Sequence, residues 1–266
     1  MSSAPDSRRD CADWDAIADH WDAQVGEGSD FQKLLVFPAT DRLLELRGGE
    51  VVLDACCGNG HHARRLAARG CRVVAFDGSA RMIHHARRRH RPGSGDVVYH
   101  VADACDIDAL RQALGDERFD AAVCTMALMD LPTLEPLLHA VRTSLRPGGR
   151  FVFSVAHPAF FSNEPLKWAQ QDDGGETDGR PRQTFGVLVT RYLTPWPHPS
   201  RGLLGQPRAH TMYHRPLSEL LGACFAAGFV VTALAEPAFP PDTRLRSPFS
   251  WARRPELPPV LVVRLQ

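Results

Sequence analysis

Val51-Val52-Leu53-Asp54-Ala55-Cys56-Cys57-Gly58-Asn59-Gly60 decides the architecture. Val51 to Leu53 form a short apolar run without polar alternation, the pattern of a strand buried on both faces. Asp54 and the Gly-containing turn end it, because glycine admits the positive φ of a tight turn and lets the backbone approach a ligand. A helix is predicted from about His62 to Arg69, stopped by Gly70.

The same unit recurs downstream. Arg72–Phe76 reads as a second strand, ended by Asp77-Gly78, with Ser79 placed to cap a helix over Ala80–His90. Val97–Val101, ended by Asp103, is a third strand, followed by a helix near Ile107–Leu114. Phe119–Thr125 is a fourth, then a helix over Leu134–Leu145 and a fifth strand over Arg150–Val155. Upstream, Trp14, Ile17, Ala18 and Trp21 recur at helical spacing within 12–46, with a break at Gly26–Ser29 and a second helix at about Pro38–Leu46. Residues 157–210 are rich in proline and aromatic residues and read as an insert or lid. The pattern then resumes with a helix over Leu217–Ala227 and strands at Phe229–Leu234 and Val260–Leu265. No helix separates those two strands, so they pair as an antiparallel hairpin.

The predicted fold is therefore α/β: a doubly wound, mostly parallel seven-stranded sheet with an antiparallel terminal hairpin and helices on both faces. The expected organisation is a helical cap at 1–48, a ligand-binding core at 49–156, a substrate-side insert at 157–210, and a completing helix and hairpin at 211–266. Lys+Arg and Asp+Glu are both 31, so there is no basic excess of the kind that grips nucleic acid. The basic run Arg87-Arg88-Arg89-His90-Arg91 reads as a solvated helix end suited to the helix dipole. No stretch reaches the roughly 20 apolar residues of a membrane span. The polar N-terminus lacks a signal core, and the seven cysteines form no C-x-x-C pair. The expected protein is cytoplasmic, with reduced thiols, no metal, no nucleic acid or membrane partner, and a monomeric or homodimeric state.

The loop at 54–60, with the strand-ending acids Asp77 and Asp103, resembles the class I (Rossmann-like) S-adenosylmethionine-dependent methyltransferase family. The resemblance spans roughly 12–156 and, more weakly, the terminal hairpin. It implies S-adenosylmethionine as cofactor and a methyl transfer by direct displacement to N, O or C of a small molecule. The cofactor residues it implies are Trp21, Asp54, Ala55, Cys56, Gly58, Gly60, Asp77, Gly78, Met82, Asp103, Ala104, Thr125 and Met126. Asp77 would take the ribose hydroxyls and Asp103 the adenine amino group, although Asp103 also reads as a helix N-cap. Asp54 suits the cationic part of S-adenosylmethionine and would repel a pyrophosphate, which weighs against a dinucleotide. Cys56 stands where the family has its first glycine, so the loop is expected to keep φ negative there. The segment Cys124–Pro132 lacks the [ND]-P-P-[YF] sequence of nitrogen-directed DNA or protein-glutamine enzymes.

His157, just past the fifth strand, reads as a general base or orienting group, or else a loop histidine bonded to backbone. Tyr192 and His214 are the further catalytic candidates. Phe160, Trp168, Arg191 and Tyr213 are candidates for binding substrate, and Arg191 with Arg215 has the chemistry to hold a carboxylate. Three alternatives stay open: another displacement on the same cofactor such as intramolecular cyclisation, a non-catalytic binder of it, and an NAD-dependent oxidoreductase.

Overall fold

The computed structural model describes residues 6–91, 93, 95–172, 181–240, 242–243 and 249–266. Five β-strands alternate with helices as the sequence predicts: β1 (Val51–Ala55), β2 (Arg72–Asp77), β3 (Asp96–Val101), β4 (Phe119–Thr125) and β5 (Leu145–Ala156). After β5 come β6 (Leu166–Asp172), β7 (Arg182–Leu188), β8 (Trp196–Ser200), β9 (His210–His214), β10 (Val231–Ala235) and β11 (Val260–Leu265). The main sheet has seven strands in the order β10-β11-β5-β4-β1-β2-β3. β1 pairs parallel with β2 and β4, and β11 pairs antiparallel with β5 and β10. The strand order reverses between β1 and β4, so the crevice beyond their carboxyl ends is where an open α/β sheet takes a ligand.

Helices cover both faces: α1 (Ser7–Val25), α2 (Phe37–Leu44), α3 (His61–Ala68), α4 (Ala80–Arg89), α5 (Ile107–Leu114), α6 (Glu135–Ser144) and α7 (Leu217–Ala226). Alternate residues of each strand feed opposite cores. Leu53, Phe76, Phe151 and Phe153 pack on one face, and Val52, Val73, Val152 and Val262 on the other. Ser79 caps α4 as predicted, its Oγ accepting from the Met82 N–H at 3.0 Å. Ahead of α2 the chain makes a wider, π-type turn over Gln32–Val36, and Pro38, which has no N–H to give, stands in the first turn of α2.

Two sequence expectations change. The segment after β5 forms two antiparallel hairpins, β6–β7 and β8–β9; residues 173–180, which the sequence placed in that insert, lie outside the described residues. The basic run at the end of α4 is more than a solvated end: Arg87 and Arg88 are exposed, yet they and Arg89 hold partners. Arg89 grips the buried Asp22 of α1 at 2.5 and 3.0 Å, Arg88 reaches the same carboxylate at 3.2 Å, and Arg87 donates to the Tyr99 carbonyl at 2.6 Å. Upstream on the same helix, Arg81 pairs with Asp19 at 2.8 Å. The run clamps α1 across the end of the sheet.

Candidate functional site

A cavity of about 590 Å³ opens at the carboxyl ends of β1 to β5, a volume suited to a small ligand. Its floor comes from the βα turns: Cys56, Cys57, Gly58 and Asn59 after β1, Asp77-Gly78-Ser79 after β2, Asp103-Ala104-Cys105 after β3, and Thr125 to Ala127 after β4. α1 supplies Asp10, Trp14 and Trp21 from above, and the segment Ser200–Met212 supplies Gly202, His210 and Met212.

Carboxylates dominate the floor. Asp77 accepts from the Gly58 N–H through Oδ2 at 2.8 Å and from the Ser79 N–H through Oδ1 at 2.8 Å. Burial pushes its carboxyl up to about 6, against the pull of those two donors. The first turn thus spends its Gly58 amide on a carboxylate. A loop built for a pyrophosphate would aim such amides at the ligand instead. Asp103 accepts from the Cys105 N–H at 2.8 Å, closing a local turn at the end of β3. Hydroxyls, amino groups and cations suit this floor, and phosphates do not.

The backbone is strained at two points on the same floor. Cys56 has φ +55° and Met126 also has φ +55°. The expectation of a negative φ at Cys56 is therefore wrong. The turn demands a left-handed residue, and cysteine adopts that conformation at a cost of order 1–3 kcal/mol. The contact with Cys124, then burial, pushes the Cys56 thiol well up, and burial pushes Cys11 up to about 12. Neither is a nucleophilic thiolate near neutral pH. Among the described residues no His, Cys, Asp and Glu cluster is placed to hold a metal.

Of the thirteen sequence candidates for the cofactor, Trp21, Cys56, Gly58, Asp77, Gly78, Met82, Asp103, Ala104, Thr125 and Met126 line the cavity. Asp54, Ala55 and Gly60 do not. Asp54 is fully buried beneath the loop, where the nearby His62 ring opposes the rise that burial imposes on it. Gly60 packs against Tyr99, whose hydroxyl would lie 2.7 Å from an added Cβ.

The candidates for the substrate side are not brought to the cavity. His157 is 2% exposed and both ring nitrogens are engaged: Nε2 with Glu236 at 2.9 Å, and Nδ1 accepting the Ala159 N–H at 3.1 Å. The alternative of a loop histidine held by its surroundings describes it better. His214 donates through Nε2 to the Tyr192 carbonyl at 2.7 Å, and its Nδ1 accepts from Ser162 Oγ at 3.0 Å. The Tyr192 hydroxyl accepts from the Leu217 N–H at 3.0 Å. Arg191 lies over Trp196, Phe160 stacks on His157, and Trp168 packs over Gly186. Arg215 donates to the carbonyls of Leu128, Leu131 and Pro132 and so braces the loop after β4. Tyr213 lies behind the wall and donates to Asp10 at 2.8 Å.

The cavity is lined elsewhere by Asp10, Trp14, Met129, Asp130, His210 and Met212. The spacing of Asp10, Trp14 and Trp21 on one face of a helix was a usable signal for the first two. Asp130 and His210 carried none, since each stands in a segment without periodicity.

Residues 52–149 match the family model described as a methyltransferase domain. The strand order and the position of the cavity agree with that match. By sequence and by fold these residues are similar to a methyltransferase domain. Demethylmenaquinone methyltransferase of Clavibacter sepedonicus is 35% identical over 114 residues, which cover 43% of this chain and 44% of that protein. Ubiquinone biosynthesis O-methyltransferase of Alkalilimnicola ehrlichii is 29% identical over 149 residues, covering 54% of this chain and 58% of that protein. The chain thus spans about half the length of the curated relatives it matches. Among solved structures, an S-adenosylmethionine dependent methyltransferase from Mesorhizobium loti superposes with a TM-score of 0.63 at 26% identity, over 86% of this chain and 96% of that one. The match runs from β1 into β5, while α1 and the two hairpins lie outside the matched residues.

Proposed function

We propose that the protein is an S-adenosylmethionine-dependent methyltransferase acting on a small-molecule acceptor. The observation that carries the reading is the carboxylate floor: Asp77 and Asp103, from adjacent strands, face one cavity whose first turn offers no free amide cradle for phosphate. Asp77 would accept from the ribose hydroxyls, and Asp103 from the adenine amino group. Gly58, Cys56, Thr125 and Met126 would flank the amino-acid part. When bound, the cofactor supplies an electrophilic methyl group on a sulfonium, already equipped with its leaving group. The chain's own task is then to align the acceptor and exclude water. α1 and the segment before β9 roof the cavity, and we read them as a lid that closes over both ligands.

No helix among the described residues is long and apolar enough to cross a membrane. The described cysteines are all unpaired. The unpaired thiols support our reading of a cytoplasmic enzyme, for which we propose a monomer or homodimer.

Calorimetry with S-adenosylhomocysteine tests the reading. The protein should bind it with micromolar affinity, and Asp77→Ala should weaken it by about 1.5–3 kcal/mol, the scale of hydrogen bonds to a charged group. No binding to the unaltered protein would refute the reading, and unchanged affinity in the variant would remove Asp77 from the site.

A further inference from the structure

Asp130 closes the single 3-10 turn that follows β4. Its side chain is only 9% exposed, and its Oδ1 is buried on the cavity with no hydrogen-bond partner. A carboxylate in that position costs free energy unless something pairs with it. The nearest cationic candidate is His210, whose Nε2 stands 3.6 Å away, beyond a hydrogen bond. His210 does not supply the charge: burial pushes its pKa down to about 4, leaving a neutral ring near pH 7.

Its tautomer follows from its neighbours. Trp21 Nε1–H donates to Gln206 Oε1 at 3.1 Å, which fixes the amide orientation. Gln206 Nε2 then donates to the Arg208 carbonyl at 2.6 Å and faces His210 Nδ1 at 3.2 Å. Nδ1 is therefore the acceptor, and the ring proton sits on Nε2, turned toward Asp130. A neutral N–H at that distance neither bonds the carboxylate nor neutralises it.

The surrounding wall is aromatic. Trp14 and Trp21 meet edge to face at 5.0 Å, and Trp14 lies 4.7 Å from the His210 ring. Indole faces attract cations, more strongly where water is excluded. A second buried carboxylate, Asp10, lines the same wall, its Oδ2 held by the Tyr213 hydroxyl at 2.8 Å. Lys167 also reaches the cavity, but its ammonium donates to the Phe249 carbonyl at 3.2 Å and lies over the Trp251 ring at 4.8 Å. Arg201 is the other basic residue on the lining. A neutral hydroxyl would offer this carboxylate a hydrogen bond but leave its buried charge uncompensated, and an anionic acceptor would be repelled by it, so a cation compensates it best.

We propose that the acceptor is an amine, bound as its ammonium ion against Asp130 and beside the indole wall of Trp14 and Trp21; this rests on the methyltransferase reading above. Asp130 also has the chemistry to free the acceptor lone pair. An N–H bond of the ammonium breaks, its electron pair stays on nitrogen, and the proton passes to a carboxylate oxygen of Asp130. Burial, then the charges of Asp10 and Asp77, push Asp130 well above the usual carboxylate range, which brings it closer to an amine as a proton acceptor.

The test uses tetramethylammonium as a small cationic probe and tert-butanol as a neutral one of similar shape, each titrated into protein with and without saturating S-adenosylhomocysteine. Tryptophan fluorescence and ligand-observed NMR report binding. Tetramethylammonium should bind at least ten-fold more tightly than tert-butanol. Asp130→Asn, which keeps the shape and removes the charge, should abolish that preference while holding S-adenosylhomocysteine affinity within two-fold. Trp14→Leu should weaken the cation several-fold and serves as an independent variant. Equal responses to both probes, or no response to the cation, would overturn the proposal. So would a ten-fold loss of S-adenosylhomocysteine affinity in Asp130→Asn, because Asp130 would then belong to the cofactor. A protein that prefers the cation yet never binds S-adenosylhomocysteine would retain the cation site and refute only the methyltransferase reading.

Discussion

Asp54 shows how far a single residue can be read from sequence and where that stops. Its place at the end of β1 was legible from a strand followed by a Gly-containing turn. Its direction was not, because a strand end presents a side chain to either face and only the finished turn decides which. The carboxyl turns inward and is fully buried. Burial pushes it from 3.8 to about 6, so the folded state holds its proton more tightly than the unfolded chain does. The stability this group contributes is fully present below about pH 4. It is lost as pH rises toward 6, by roughly 3 kcal/mol at about 1.4 kcal/mol per pH unit. Asp22, Asp41 and Glu50 are held below their usual range and run the other way, so the whole-protein profile mixes both signs. Asp54→Asn isolates one. Urea midpoints measured from pH 4 to 8 should show the variant gaining on the unaltered protein across pH 4–6 and holding that gain above it. A constant offset from the amide's own bonds does not affect the slope; a difference flat in pH would show that Asp54 does not titrate in this way.

At the scale of elements, α1 was foreseen as a helix but not as a clamped one. The apolar positions were readable by their spacing, while nothing in that spacing gave the acids between them a partner. Asp22 is in fact 4% exposed and collects Arg89, Arg88, His85 and Asn59. Burial works against its charge, and the Arg89 and Asn59 hydrogen bonds overcome it and hold its carboxyl below the usual range. Asn59 belongs to the β1–α3 turn, so one carboxylate ties α1 to both α4 and the cavity floor. Sequence could not show this, since the partners lie 37 to 67 residues away. Removing the carboxylate leaves partly buried donors unpaired, at a cost of about 2–4 kcal/mol. Asp22→Ala should lower stability by that amount and raise amide exchange throughout residues 7–25 before the sheet opens. Unchanged exchange in α1 would mean that its apolar face alone holds it. The β8–β9 hairpin was missed for a different reason. Pro197 and Pro199 suggested a loop, yet they alternate along a two-stranded edge, where an N–H can be spared.

The whole molecule divides into a floor that the βα alternation foretold and a roof that it did not. The roof is made of two segments nearly 200 residues apart in sequence, and several contacts join them directly. Trp14 and Trp21 pack against the His210 ring, Trp21 donates to Gln206, Arg208 reaches Asp13 at 3.0 Å, and the Tyr213 hydroxyl donates to Asp10. Gly202 lets the hairpin approach Trp21 closely, since an added Cβ would stand 2.9 Å from the indole. By contrast, β6 and β7 are largely exposed. Segments so joined should open and close as one body, and the ligand they cover should protect both together. On adding S-adenosylhomocysteine, amide exchange should slow in residues 7–25 and 200–214 with the same concentration dependence, while residues 166–172 and 182–188 change little. Tyr213→Phe removes the hydroxyl bond to Asp10 without changing ring volume, so it should speed exchange in both roof segments and hasten S-adenosylhomocysteine release. Protection confined to one segment, or a Tyr213→Phe effect confined to β9, would show that the two halves of the roof move independently.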